Sequence, residues 1–289
     1  TLLPTKNQDV SVVFTGDNLL GSKTVINSIQ KNGYDAPYSQ VKNILYNADI
    51  TFGNLENPLT NYPNRTLGKS AESINHGRNF VFKAPPEYGK ILKDTGFDIM
   101  TLGNNHAMDY QVQGMNDTLD ILDKFGIKYI GAGRNLDDAV KPKIIEKNGV
   151  KFGFIGYSMI VPALSSASKN SAGANTHTKA YSQVMEKAIK DLKKKTDFVI
   201  ITFHWGIEGQ YYPTAYQKQI AKKCIDAGAD AVIGHHPHRI QGVEVYKGKI
   251  IAYSLGNFLF KGKSNGVESM ILQINFSKDR ILSAGVYPI

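Results

Sequence analysis

Ala229-Asp230-Ala231-Val232-Ile233-Gly234-His235-His236-Pro237-His238 decides how this chain is read. A short apolar run typical of a buried strand breaks at a glycine and delivers three histidines within four positions. Neutral imidazole is the commonest protein metal ligand, and alternate positions of extended backbone can converge on one ion. His236 and His238 have that spacing, and Pro237 stiffens the turn between them. The competing reading is an exposed polar loop in which histidines cluster without purpose. What decides between them is that other apolar runs of the chain end the same way.

Six candidate strands end in glycine or histidine followed by polar chemistry. They give Gly16-Asp17, Gly53-Asn54-Leu55-Glu56, Gly103-Asn104-Asn105-His106, His204, Gly234-His235-His236-Pro237-His238 and Gly256-Asn257. In open α/β sheets ligands sit outside the carboxyl ends of strands, so these six ends can meet in one crevice. Five of the seven histidines lie at them, while His76 and His177 fall in predicted loops. Asp17, Glu56, Asn105, His204, His236 and His238 form a mixed N/O donor set suited to Mn, Fe, Zn or a related divalent ion, one or two in number. Paired ions with a bridging carboxylate activate water and clamp the oxygens of a displacement at phosphorus. His106, kept off the metal, is the candidate proton donor to a leaving oxygen. Glu208, one helical turn beyond His204, reads equally as metal-binding, histidine-orienting or a surface acid. Taken singly, Asp17 also reads as a cap, Asn104 and Asn105 as turn formers, His204 as a core histidine, and Gly256-Asn257 as a turn.

Strands and helices alternate through most of the 289 residues. Predicted helices over 36–48, from Pro85 to Gly96, along the Met115, Leu119, Leu122 and Phe125 stripe, at about 178–195 and at about 213–227 separate the strands. Residues 57–80 and 159–178 read as surface loops, the first shaping a substrate groove. Four closing strands at 239–246, 249–255, 268–276 and 280–287 read as antiparallel, with Lys247-Gly248 a hairpin turn. The expected architecture is one α/β layered domain over 1–289 with two central sheets rather than a single parallel one.

Composition is that of a globular protein, 42% hydrophobic and 20% charged, with no apolar stretch near the length of a membrane span. A single cysteine, Cys224, at helical spacing among apolar residues, excludes an internal disulfide framework and a thiolate cluster. The net charge of +9 favours anionic partners, whereas no aromatic-and-basic platform argues for nucleic acid.

The order of these blocks resembles the CapA or PgsA-type poly-γ-glutamate capsule biosynthesis proteins, relatives of the calcineurin-like metallophosphoesterases. The resemblance rests on Phe14-Thr15-Gly16-Asp17, Asn54-Leu55-Glu56-Asn57-Pro58-Leu59-Thr60 and Thr101-Leu102-Gly103-Asn104-Asn105-His106-Ala107-Met108-Asp109. It continues through Phe203-His204-Trp205-Gly206, Gly234-His235-His236-Pro237-His238 and Ser254-Leu255-Gly256-Asn257-Phe258. It implies a four-layer α-β-β-α sandwich and a two-metal centre. Asp17 takes the place of the first aspartate ligand, Glu56 that of the bridging aspartate, and Asn105 and His106 those of the ligand and proton donor. His204, His236 and His238 take those of the remaining histidines, leaving His235 as the extra residue. Two departures stand out: Leu19 where the superfamily has a histidine, and a longer, displaced glutamate at position 56. They allow a single or weakly held ion.

The resemblance further implies capsule synthesis or export at the cell surface, with other membrane subunits of a capsule synthase as partners. The expectation is that this chain is the extracellular part of a longer anchored one, since it opens at Thr1 rather than Met. The substrate bond is a phosphoester or the γ-amide of polyglutamate. The alternative is a non-catalytic polymer-binding or scaffold subunit.

Overall fold

The computed structural model describes residues 9–176, 183–260 and 268–289. Its frame is two mixed sheets packed face to face. The first contains β1 (Val10–Asn18), β2 (Ile50–Leu55), β3 (Ile99–Thr101) and β4 (Lys128–Ile130), all parallel. The second contains β6 (Lys143–Lys147), β7 (Val150–Ser158), β9 (Phe198–His204), β10 (Ala231–His235), β11 (Ile240–Tyr246) and β12 (Lys249–Leu255). Its order is β11-β12-β10-β9-β7-β6, with β12, β10, β9 and β7 parallel and both edges antiparallel. β14 (Met270–Phe276) and β15 (Ile281–Pro288) complete the first sheet in the order β15-β14-β1-β2-β3-β4, and β13 (Asn257–Leu259) also pairs with β1. β5 (Ala132–Gly133) and β8 (Gly173–Ala174) form a separate two-stranded ribbon.

Alternation along the strands builds the layers. On β9, Phe198 and Ile200 enter the core between the sheets, while Val199, Ile201 and Phe203 face outward. On β10, Ala231 and Ile233 point in and Val232 points out. On β1, Val10, Val12 and Phe14 point in and Val13 out. Strands covered on both faces read as continuous apolar runs, which is why they were visible in sequence.

Outside the first sheet lie α1 (Lys23–Asn32), α2 (Lys42–Tyr46), α4 (Gly89–Thr95) and α5 (Gln111–Lys124), which bury Val25, Leu45, Ile91 and Leu119 among others. The shorter α3 (Ala71–Asn75) and α6 (Leu136–Ala139) lie in the connections. Outside the second sheet lie α7 (Gln183–Lys193) and α8 (Ala215–Asp226), which cover it with Met185, Ile189, Ile220 and Cys224. The expected α-β-β-α order of layers is therefore present.

Four expectations change. α1 was not anticipated; Ser22 caps it by accepting from the Val25 amide at 3.2 Å. The helix over 36–48 is instead a 3-10 turn at Ala36–Tyr38 followed by α2. The closing strands are antiparallel in pairs, as expected, but the two pairs divide between the sheets. β11 and β12 hairpin into the second sheet, with Lys247 and Gly248 both at positive φ in the turn, and β14 and β15 hairpin into the first. The segment 57–80 is not a plain surface loop, since Asn57–Thr60, Thr66 and Lys69 are buried and α3 lies within it. His177 and the start of the helix expected at about 178 lie outside the described residues.

Candidate metal centre

The carboxyl ends of β1, β2, β9 and β10 converge. β10 and β9 run parallel with His235 opposite His204, and β1 pairs with β2 so that Asp17 lies opposite Asn54. The sheets therefore carry Asp17 and Glu56 from one side and the histidines from the other. Close approach depends on small residues: a Cβ on Gly234 would lie 1.9 Å from the Tyr253 carbonyl oxygen and 2.5 Å from Trp205 Nε1. Beyond it the backbone is strained. His236 and His238 adopt φ of 98° and 54°, a region that non-glycine residues rarely enter and that clusters at functional sites.

Asp17, Glu56 and His235 are fully buried, His204 and His236 nearly so, and the His238 side chain is 18% exposed. His204 Nε2 lies 3.5 Å from Glu56 Oε1 and 3.2 Å from His236 Nδ1. His238 Nδ1 lies 3.3 Å from Asp17 Oδ2 and 2.9 Å from Asn257 Oδ1, and its Nε2 lies 3.9 Å from Glu56 Oε1. Potential ligand atoms of Asp17, Glu56 and His238 fall within 4.8 Å of one another, and so do those of Glu208, His236 and His238. His235, read from sequence as the extra histidine, is fully buried beside Asp17. It stacks on Phe52, with Nδ1 3.3 Å from Asp17 Oδ1.

Asparagines brace the cluster. Asn54 Nδ2 donates to Asp17 Oδ1 at 2.8 Å, and Asn104 Nδ2 donates to Asn54 Oδ1 at 3.0 Å and to the Leu55 carbonyl at 2.8 Å. Asn104 Oδ1 accepts from the His106 amide at 3.0 Å, so Asn104 forms the turn and is at the same time a buried strut to β2. Asn105 lies between these two anchored residues. Its Oδ1 is buried without a hydrogen-bond partner among the described residues.

The electrostatics are those of carboxyls and imidazoles held together out of water. Burial opposes ionisation of Asp17, but the His235 and His238 imidazoles outweigh it and hold the carboxyl well below its usual range. Burial, then the charge of Asp17, pushes Glu56 well above its usual range. Burial also lowers His238, yet the Glu56 and Asp17 carboxylates prevail and raise it to about 10. Burial, followed by the charge of His238, takes His236 down to about 3. Burial, followed by the charge of His236, holds His204 well below its usual range. Both Glu56 oxygens and His204 Nδ1 lack hydrogen-bond partners among the described residues. Buried polar groups are normally paired, and a buried carboxylate is tolerated when it is paired or coordinates a metal. The donors thus fit a divalent cation with mixed N/O ligation.

His106 stands on a different network. Its Nδ1 lies 2.7 Å from Asp109 Oδ2, which also accepts from the Phe82 amide at 2.8 Å, while Asp109 Oδ1 accepts from Lys69 Nζ at 2.5 Å. Lys69, Asp109 and His106 are all buried, and Phe82 packs at 4.7 Å between ring centroids on His106. An Nδ1 proton held by Asp109 turns Nε2 away from that carboxylate. Burial lowers the basicity of His106, and Asp109 pushes back.

Of the residues singled out in sequence, Asp17, Glu56, His204, His236 and His238 come together, with Asn105 and His106 on the strut beside them. Glu208 is exposed at the rim. Lys69 and the bracing roles of Asn54, Asp109 and Asn257 were not foreseen. The three-residue step from His106 to Asp109 was the available signal; for Lys69, inside an aperiodic segment, there was none.

The fold is shared with solved phosphatase structures. The chain superposes on a phosphatase from Mycoplasma pneumoniae with a TM-score of 0.56 and 16% identity, covering 97% of this chain and 93% of that one. It superposes on a putative 5'-nucleotidase from Staphylococcus aureus with a TM-score of 0.57 and 16% identity, covering 97% of this chain and 54% of that one. The chain thus shares the fold of these two proteins.

Sequence comparison goes further. The model of the bacterial capsule synthesis protein PGA_cap family matches residues 11–262, and the chain belongs to that family. It is 36% identical over 278 residues to the PGA biosynthesis protein CapA of Bacillus subtilis, covering 95% of this chain and 70% of that protein. It is 30% identical over 286 residues to the capsule biosynthesis protein CapA of Bacillus anthracis, covering 98% and 68%.

Proposed function

We propose that this chain serves poly-γ-glutamate capsule synthesis or export as one domain, the extracellular part of a longer anchored protein. It would work beside other membrane subunits of a capsule synthase. Its centre would hold one or two divalent ions, Mn, Fe or Zn, on Asp17, Glu56, Asn105, His204, His236 and His238. The observation that carries this reading is Glu56, a fully buried carboxylate with both oxygens unpartnered among the described residues and His204 Nε2 3.5 Å away. When bound, a divalent ion supplies Lewis acidity that acidifies water and offsets charge developing on the attacked group.

The reaction is hydrolysis or transfer at a phosphoester or at the γ-amide of polyglutamate, both borne by anions that suit the net charge of +9. His106 presents Nε2 for protonation of the leaving oxygen or nitrogen, with its ring fixed by Asp109. Asn54 and Asn104 hold Asp17 and the 104–106 segment in place. Among the described residues no helix is long and apolar enough to cross a membrane. A second reading, a non-catalytic polymer-binding subunit, draws on Leu19, whose buried apolar side chain adds no ligand beside Asp17.

The test is turnover of a phosphodiester and of polyglutamate by the chain loaded with Mn or Zn. His204→Ala is expected to cut turnover at least a hundredfold. Chelator-insensitive polyglutamate binding without turnover would instead establish the second reading.

A further inference from the structure

Glu208 is the one exposed member of the two potential ligand triplets. Its position is nevertheless fixed from both sides. The Trp205 amide donates to the His235 carbonyl at 3.1 Å and Trp205 Nε1 donates to the Tyr253 carbonyl at 2.9 Å, which anchors the chain just before it. The Gly209 amide donates to the Pro237 carbonyl at 2.8 Å, which ties the residue after it to the turn between His236 and His238. Gly206 and Gly209 stand at φ of 90° and 79°, so the 206–209 bend uses conformations that side chains resist. An acid set on a bend pinned at both ends to the histidine turn is placed differently from a surface glutamate on a helix face.

We infer that Glu208, His236 and His238 form a divalent-metal position of their own at the solvent edge of the centre. It is distinct from the buried position nearest Asp17 and Glu56. The inference rests on the metal reading above. Ligand atoms around such an ion, each about 2.1 Å away, lie roughly 3–4 Å apart. The triplet already falls within 4.8 Å, close to that range, and the exposed Glu208 side chain has room to adjust. One carboxylate and two imidazoles suit Zn or Mn, and three protein ligands leave further positions open to solvent and substrate. Because His238 belongs to both triplets, the two positions are neighbours and each affects filling of the other. The outer ion would be the more readily exchanged, since Glu208 is exposed whereas Asp17 and Glu56 are fully buried.

The experiment is titration of the chelator-stripped chain with manganese chloride, free Mn²⁺ being followed by electron paramagnetic resonance. Wild type, Glu208→Gln and Glu56→Gln are compared. Glu208 is exposed, so its replacement leaves the fold intact, which circular dichroism checks. The expected result is loss of one Mn²⁺ equivalent, or at least tenfold weaker binding of it, in Glu208→Gln, with that equivalent retained in Glu56→Gln. Unchanged stoichiometry and affinity in Glu208→Gln overturns the inference while the buried centre stands. Loss in Glu208→Gln with no change in Glu56→Gln supports the inference and removes the buried position. A wild type that takes no Mn²⁺ overturns both.

Discussion

Two buried carboxyls flank strand β10, one from the chain just before it and one from the end of β2 against the turn that follows it, and the two are finished differently. Just before it, Asp230 is almost fully buried and saturated: Lys193 Nζ donates at 2.7 Å, the Val199 amide at 2.9 Å, and Lys249 Nζ bonds the other oxygen. Just after it, Glu56 meets the histidine turn with neither oxygen hydrogen-bonded among the described residues. Burial is the same for both, so burial alone does not single out the proposed centre; on the metal reading the missing hydrogen bonds of Glu56 do. Asp109 makes the point from inside the centre: saturated by Lys69, His106 and the Phe82 amide, it is built to position a neighbour rather than to bind an ion.

The hardest test of this contrast is Asp230→Ala. Removing Asp230 leaves the buried Val199 amide without its acceptor, while Lys193 and Lys249 are a third exposed and can turn to water, so the expected loss is ~1–3 kcal/mol of folding stability. Chemical denaturation measures it, and the variant that remains folded should bind Mn²⁺ as wild type does. An equally large loss of metal affinity would erase the distinction between the two ends.

Glu56→Gln should behave in the opposite sense. Without metal, the substitution removes a buried carboxyl whose ionisation is opposed by burial and by the Asp17 charge and which no hydrogen bond holds among the described residues. Stability in chelator should therefore stay level or rise by about 1 kcal/mol. With Mn²⁺ present the variant should gain far less stabilisation than wild type, since binding stabilises only in proportion to affinity. A destabilised metal-free variant would mean that Glu56 is structural, like Asp230.

How far the sequence carried this comparison depends on what each feature repeats. The apolar strands β1, β2, β9 and β10 were legible because each is buried on both faces, and their glycine-to-polar ends carry Asp17, Glu56, His204, His236 and His238, which the structure brings together. Helix α1 was missed because its buried face rests on only Val25 and Ile29. The break at 36–48 was hidden because Val41, Ile44 and Leu45 keep helical spacing although the chain turns at Asp35–Ser39. Lys69 and Asn257 reach the centre by long-range contacts, 37 residues to His106 and 19 to His238, for which no local pattern exists. Asp230 and His235 are five positions apart in the same quoted stretch, yet only packing shows that the first is saturated and the second lies against Asp17.

The smallest effect is on pH dependence, and it separates the histidines of the centre from one another. His236 is depressed to about 3 in the fold, so its neutral form contributes stability that is present above the ordinary histidine value and is lost as pH falls toward 3. His238 is raised to about 10, so its contribution is present below the ordinary value and is lost as pH rises toward 10. The two slopes have opposite sign, and each is bounded by about 1.4 kcal/mol per pH unit. The metal-free chain should therefore be most stable near the ordinary histidine value of 6.5 and weaken on either side. A divalent ion takes the place of the His238 proton, so saturating Mn²⁺ should abolish the alkaline decline while the acid decline becomes steeper through lost binding. Denaturation midpoints between pH 5 and 9, with chelator and with Mn²⁺, measure both arms. An alkaline decline that persists unchanged in Mn²⁺ would detach His238 from the ion and leave it as the structural counterion of Asp17.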